Sequence, residues 1–283
     1  MTIKYVFSGH ESFPCKQLWL KKGYDYLTHG YNFNAPDAVI GLGVGKNMVS
    51  SIRYWMRAFA LTQNDKPTDI ASYLLDSHVG ADPFLEDIGT LWILHYLLVT
   101  SGEATLYNWT FLRLQKLHKE FSRQQILNSI HRYMIEEEKG KAFNENTIKK
   151  DIGVLLQNYV RPINSRSFEE YTSLLSDLDL LRPSDEGKTY LFNIEGKRTL
   201  PMEVYVYALL KWKGDNLSLS FSSLQDLGLV FCMTDMETIA MLRKASAAFP
   251  DHMHYSDVAG VRQIQFMKDL SPKTILDHYY HHD

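Results

Sequence analysis

The sequence predicts a mainly α-helical protein with small β elements. This is an α+β class built from helix-turn-helix or winged-helix-like modules plus a small C-terminal α/β unit. Three observations carry the prediction. Apolar residues recur at three- and four-residue spacing through most of the first 160 residues, the period of a helix with one buried face. Asp37 to Trp55 reads as a short helix, a glycine turn (Gly41, Gly43, Gly45) and a second helix. Residues 144–193 read as helix, helix and hairpin, in winged-helix order. A chain of 283 residues exceeds the usual single-domain size, so about two or three modules are expected. The expected divisions are an N-terminal helical domain at 1–135, a winged-helix-like module at 136–199 and the α/β unit at 200–283.

In order, Ile3 to Phe7 reads as a short strand and Ser8 to Pro14 as a turn. Leu18, Trp19, Leu20, Tyr24 and Leu27 recur at helical spacing and predict an amphipathic helix over 17–28. Pro36 is a good first-turn residue for the next helix. In the helix after the glycine turn, Met48, Val49, Ile52, Trp55, Met56 and Phe59 form the stripe expected to be buried. Lys46, Asn47, Ser50, Arg53 and Arg57 occupy its polar face. Thr68–Asp76 is expected as a short helix, and Asp82-Pro83 to Val99 as a strongly apolar one. Asn108–Phe121 and Ser122–Glu138 follow, with Ser122 as the cap of the second. Asn144–Val160 reads as a capped helix with Ile148, Ile152, Leu155, Leu156 and Tyr159 on its apolar side. Phe168–Leu181 is expected as a helix, and Leu181–Asn193 as strand, polar turn, strand. Beyond Leu200, helices are expected at Pro201–Trp212, Asp235–Phe249 and Pro272–Tyr279. Strand pieces are expected at 221–224, 229–232 and 254–257.

With 45% hydrophobic and 22% charged residues, the composition is that of an ordinary globular protein. The opening Met1-Thr2-Ile3-Lys4-Tyr5 lacks the basic-then-apolar pattern of a secretion signal. The apolar run Leu91–Val99 is far too short to span a bilayer and contains His95, so no membrane partner is expected. Two cysteines, Cys15 and Cys232, cannot frame a chain of this length, which points to a reducing cytoplasm. Net charge is −3, but its distribution is uneven. Residues 1–166 carry 19 Lys and Arg against 16 Asp and Glu, and residues 167–283 carry 11 against 17. A polyanion contact therefore belongs to the first part, and the acidic second part reads as a dock for other proteins.

The basic helix after the glycine turn has the residue types that read a major groove: Arg for guanine, Asn for adenine, and Lys and Ser for phosphates. The bland alternative is a solvated helix with a basic outer face. Gly41-Leu42-Gly43-Val44-Gly45-Lys46-Asn47 is not a nucleotide-hydrolysing loop. Asn47 stands where a magnesium-binding hydroxyl is needed, and no strand precedes the turn. A second candidate contact is Lys149, Lys150 and Asn158 with Lys188 on the hairpin, diluted by Glu145, Asp151, Asp185 and Glu186. A winged helix used only for packing is its alternative.

His10, Glu11 and Cys15 raise the question of a metal, but neither His nor Cys recurs nearby, so a hydrogen-bonded turn is the preferred reading. A nucleophile at Cys15 or Cys232 would need a histidine partner that sequence cannot locate, and Cys232 sits in an apolar run expected in the core. The loop at 255–263 reads as a ligand or partner site, or as a turn in which Asp257 and Arg262 pair. His278, His281 and His282 read as a solvated tail. No catalytic, metal or cofactor motif is complete.

Four segments carry a family resemblance: Phe7 to Phe13, Trp19 to Asp25, Leu42 to Val49, and Tyr255-Ser256-Asp257-x-Ala259-Gly260-x-Arg262-Gln263. From about Phe7 to Tyr280 the chain resembles the bacterial family called domain of unknown function 4007. The resemblance implies a gene neighbourhood of phosphorothioate DNA modification and BREX-type phage defence, often beside a sulfurtransferase. It supplies no catalytic residues. The expectation is a non-catalytic protein that binds double-stranded DNA within such a system, alongside a sulfurtransferase-like or ATPase component. One alternative is a scaffold that recruits defence proteins without touching DNA, and another is an enzyme or sulfur carrier at Cys15.

Overall fold

Helices linked by three small antiparallel sheets make up residues 5–137, 140, 143–161, 173–184, 186–258 and 260–281, which are the residues described by the computed structural model. They divide into two compact units, Met1–Asn193 and Ile194–Asp283. Among the described residues, no helix is long and apolar enough to cross a membrane.

The first unit begins with α1 (Trp19–Thr28), α2 (Ala38–Leu42) and α3 (Lys46–Ala58). Gly43 closes α2 in the left-handed conformation (φ 61°, ψ 37°), which a residue with a Cβ adopts only at a cost. Gly45 then precedes α3 in extended backbone. The α3 stripe is buried as its periodicity requires, with Met48 only half-buried and Ser51, Tyr54 and Ala58 added to it. In α1 the expected stripe shifts. Leu18 is exposed, while Lys21 is buried, its ammonium donating to Asp25, the Leu75 carbonyl and Ser77. A hairpin follows α3, with β1 (Thr62–Gln63) paired to β2 (Lys66–Pro67). Its turn residues Asn64 and Asp65 both have positive φ (52° and 58°), as a two-residue hairpin turn needs.

After α4 (Asp69–Leu75), α5 (Ile88–Thr100) is buried from Gly89 to Val99. It starts later than the expected Asp82-Pro83. The Asp82 carboxylate accepts the amides of Glu86 and Asp87, which fastens a loop, and Asp87 then caps the helix. The helix expected over 108–121 is α6 (Thr105–Trp109), a π-helical turn at Thr110–Leu114 and α7 (Gln115–Leu117). It ends early because Glu120–Phe121 forms β3. Ser122 caps α8 (Arg123–Glu136) reciprocally with Gln125, and Asn144 caps α9 (Glu145–Tyr159). From Ser173 onward the helix expected at Phe168–Leu181 is a 3-10 turn, Ser176–Leu178, and residues 168–172 lie outside the described ones. Strands β4 (Leu181–Pro183) and β5 (Tyr190–Phe192) form the expected hairpin.

The sheet order is β3-β5-β4. A cut at 135/136 would therefore pass through one sheet, since Glu120 and Phe121 pair with Leu191 and Tyr190. Both sides of that cut fall within the unit Met1–Asn193, and the second unit begins at Ile194, near the expected division at 199/200. The expected strand Ile3–Phe7 is also corrected where it is described. Residues 5–7 form no strand, and Val6 instead exchanges hydrogen bonds with Thr105.

The second unit contains α10 (Met202–Lys213), β6 (Ser218–Ser220), α11 (Phe221–Val230), α12 (Asp235–Ala248), β7 (Met253–Val258), β8 (Val261–Phe266) and α13 (Pro272–Tyr280). The strand pieces expected at 221–224 and 229–232 are a helix and its closing turn. Leu224, Leu227, Gly228 and Phe231 are buried at helical spacing, a period that aromatic and β-branched neighbours obscured. The sheet order β6-β8-β7 repeats the arrangement of the first unit: helix, strand, two helices, two strands, with the last strand in the middle. Tyr205, Leu224, Leu227, Phe231, Leu242 and Ile264 form its core.

Candidate nucleic-acid interface

The leading edge of α3 presents Lys46, Asn47 and Ser50 to solvent. Among the described residues Lys46 makes no ion pair. The two arginines behave differently. Arg53 donates through Nε and Nη2 to both carboxylate oxygens of Asp65, at 2.9 and 2.5 Å, and through Nη1 to Asn34 at 2.8 Å. Its fork ties the hairpin turn to α3. Arg57 pairs with Glu103 at 3.0 Å and lies 5.9 Å from the Tyr54 ring centroid. The Arg53 fork and the Arg57 Nε are thus already engaged by carboxylates. The spacing that placed them on the polar face could not show Asp65 or Glu103 opposite them.

On α9, Lys149 pairs with Glu145 at 2.6 Å, whereas Lys150 is exposed and without an ion pair among the described residues. Lys188 at the hairpin turn lies 3.8 Å from Glu186. Asn158 and Asp151, both expected at this surface, are corrected: they lie inside the protein. Asn158 donates to the Tyr107 hydroxyl and accepts the Cys15 amide. Asp151 accepts the Ser8 amide at 2.8 Å and His10 Nε2 at 2.9 Å, so its charge does not dilute the surface.

His10 is therefore a structural group. Its Nδ1 accepts the Ser12 amide, which leaves the ring hydrogen on Nε2 for Asp151. The segment around it takes unusual backbone, with positive φ at Ser8, Gly9, Glu11 and Ser12. At Gly9 a Cβ would come within 2.6 Å of the Tyr54 ring. Among the described residues no three His, Cys, Asp or Glu side chains group as metal ligands. Cys15 is fully buried, and burial pushes its thiol well above the usual range, which keeps it protonated and a poor nucleophile. Cys232 is equally buried. Thiol titration of the native protein with a disulfide reagent should detect neither cysteine, and denaturant should reveal both. Rapid native reaction at Cys15 would restore the sulfur-carrier reading.

In the 255–263 hairpin, Asp257 accepts from Arg262 at 3.2 Å and faces Arg243 at 3.9 Å, while Arg262 lies over the Phe221 ring. The Asp–Arg pairing expected of a structural turn is present, and Ala259 lies outside the described residues. His278 is corrected from tail to fold. It belongs to α13, 3.7 Å from Glu203, with its ring 5.9 Å from that of Phe249. His281 is exposed, and His282 is outside the described residues.

A family model described as a protein of unknown function, DUF4007, matches residues 7–280. The chain belongs to the DUF4007 family. Three of the four motifs that carried the resemblance fall, in this chain, on the positive-φ segment at Phe7–Phe13, the glycine turn before α3 and the β7–β8 hairpin. Two solved structures are similar over 98% of this chain and 88% of theirs. One is an SspB crystal structure, with TM-score 0.84 and 27% identity. The other is a magnesium-ion-bound SspB crystal structure, with TM-score 0.84 and 28% identity. No curated protein matches the sequence.

Proposed function

We propose that this DUF4007 protein binds duplex DNA non-catalytically through winged-helix-like modules. On this reading it is a cytoplasmic accessory component of a bacterial anti-phage DNA modification or restriction system. One observation carries the reading: α3 follows a left-handed glycine turn, precedes a hairpin, and exposes Lys46, Asn47 and Ser50 along its leading edge. This order supports reading α3 as a groove-reading helix with the hairpin as its wing. The repeated strand order, last strand central, supports extending the winged-helix assignment to residues 105–192 and 202–266.

A salt titration of duplex binding tests it. Lys46→Ala with Lys150→Ala should weaken binding and reduce the slope of log affinity against log salt by about 0.9 for each lost phosphate contact. Asp65→Asn should act in the opposite direction, because it releases the Arg53 fork and removes an acid beside α3. Unchanged affinity in both folded variants would remove α3 from the interface. Because one similar structure is a magnesium-bound form, the titration includes magnesium and chelator arms. The non-catalytic reading expects DNA recovered intact from both.

A protein-recruiting scaffold is the second reading. It is favoured by large apolar side chains exposed in the second unit, among them Leu217, Met236, Val258 and Val261 at 60–77%. Co-purification of neighbouring gene products without a DNA mobility shift would select it.

A further inference from the structure

Residues 113–132 hold five Lys and Arg (Arg113, Lys116, Lys119, Arg123, Arg132) and two His against a single acid, Glu120, in a chain of net charge −3. All five cations are exposed. Arg113, Lys119, Arg123 and Arg132 form no ion pair among the described residues, in contrast to Arg53 and Arg57. Glu120 is occupied: its carboxylate accepts the Thr189 hydroxyl, and Thr189 also bonds Ser184 in the hairpin.

The fold brings these residues to the surface around β3 and α8. Arg113, in the π-helical turn, lies 5.8 Å from the ring of Tyr133 near the far end of α8. The Lys119 carbonyl accepts the Phe192 amide beside β5. Arg123 opens α8, with Nη2 3.5 Å from the Tyr190 hydroxyl. Exposed Gln124, Gln125 and Asn128 add uncharged donors along α8. The acidic run begins only at Glu136, the last residue of α8. Fourteen helical residues span about 21 Å, a length over which a DNA duplex presents roughly a dozen phosphates.

We propose that the surface running from the π-helical turn at Thr110–Leu114 through β3 to the start of α8 tracks the phosphate backbone of duplex DNA, with Arg113, Lys119 and Arg123 as its contacts. The proposal rests on the DNA-binding reading above and assigns the second module a sequence-independent share of the affinity. Such a face contributes counterion release, so its signature is the salt slope.

The test uses the full chain and a duplex of about 20 base pairs in salt titrations. The variant Arg113→Gln, Lys119→Gln, Arg123→Gln should lose about a hundredfold in affinity near 0.1 M salt, with the slope smaller by about 2.7, while circular dichroism stays unchanged. A control carrying the same charge change elsewhere, Lys22→Gln, Lys211→Gln, Lys244→Gln, should bind as the parent does. Equal losses in both would reduce the effect to net charge and overturn the proposal. A loss in Lys46→Ala, Lys150→Ala but none in the 113–123 variant would overturn it too, leaving DNA binding at α3. Absence of salt-dependent binding by the unaltered protein would remove the DNA reading and this proposal with it.

Discussion

Asp151→Ala should destabilise the first unit by about 2–4 kcal/mol, because it strands the buried His10 N–H at about 1–3 kcal/mol and removes the acceptor of the Ser8 amide, a bond worth about 1 kcal/mol net. The Ser8 amide and His10 Nε2 both end on this carboxylate, and His10 and Asp151 are 3% and 5% exposed. Asp151→Asn keeps a side-chain oxygen for one of the two donors and should cost less than the alanine variant. Urea unfolding followed by tryptophan emission checks this, since four of the five tryptophans (Trp19, Trp55, Trp92, Trp109) lie in the first unit. An alanine variant as stable as the parent would show that the motif at Phe7–Phe13 is not held by this pair.

Trp55→Ala should be comparably damaging, at about 3–5 kcal/mol, the usual range for removing a fully buried large aromatic. Trp55 is 0% exposed and central to an aromatic cluster. Its ring centroid lies 5.0 Å from Tyr54, 5.7 Å from Phe59, 6.0 Å from Tyr107 and 6.1 Å from His10. Its indole also donates to the Phe13 carbonyl at 3.1 Å. Trp55→Phe retains most of the volume and loses that hydrogen bond, worth about 1 kcal/mol net. The ordering expected in denaturant midpoint is therefore parent, then Trp55→Phe, then Trp55→Ala. A phenylalanine variant as unstable as the alanine one would assign the stability to the indole N–H instead of to packing.

The elements legible in the sequence are those in which one local signal decides. Gly43 and Gly45 marked the turn before α3, Ser122 and Asn144 marked helix starts, and the polar stretch after Pro183 marked a hairpin. The signals that failed were overridden by distant partners. Ile3–Phe7 has strand-forming residues, but Val6 in its described part exchanges hydrogen bonds with Thr105 instead of with a sheet edge. Asp82-Pro83 has the residues of a helix start, but the Asp82 carboxylate clamps the next loop instead.

The candidate site divides in the same way. Exposure of Lys46, Asn47, Ser50, Lys149, Lys150 and Lys188 follows from helix and hairpin periodicity. The neutralisation of Arg53 and Arg57 depends on Asp65 and Glu103, 12 and 46 residues away, which no periodicity encodes. The acidity expected of the C-terminal part is also redistributed. Residues 194–283 carry nine Lys and Arg against eleven Asp and Glu, because much of the excess acid lies at 167–193, in the first unit. The basic run at 113–132 was visible as a charge count but hidden inside a broader average.

The His10–Asp151 contact joins residues 141 apart in sequence, and the Cys15 amide waits similarly for Asn158. On a ribosome adding about 5–20 residues per second, the segment from Ser8 to Cys15 emerges roughly 7–30 s before either partner exists. During that interval Trp19, Leu20 and the apolar side of α3 can begin to associate, but the backbone ahead of them has nowhere to settle. Nascent chains halted near residue 135 should therefore remain protease-sensitive between Ser8 and Cys15, and chains extended past Tyr159, allowing for the length of the exit tunnel, should become resistant there. Completion of this fold is in that sense scheduled by α9, the last long helix among the described residues of the first unit to be translated.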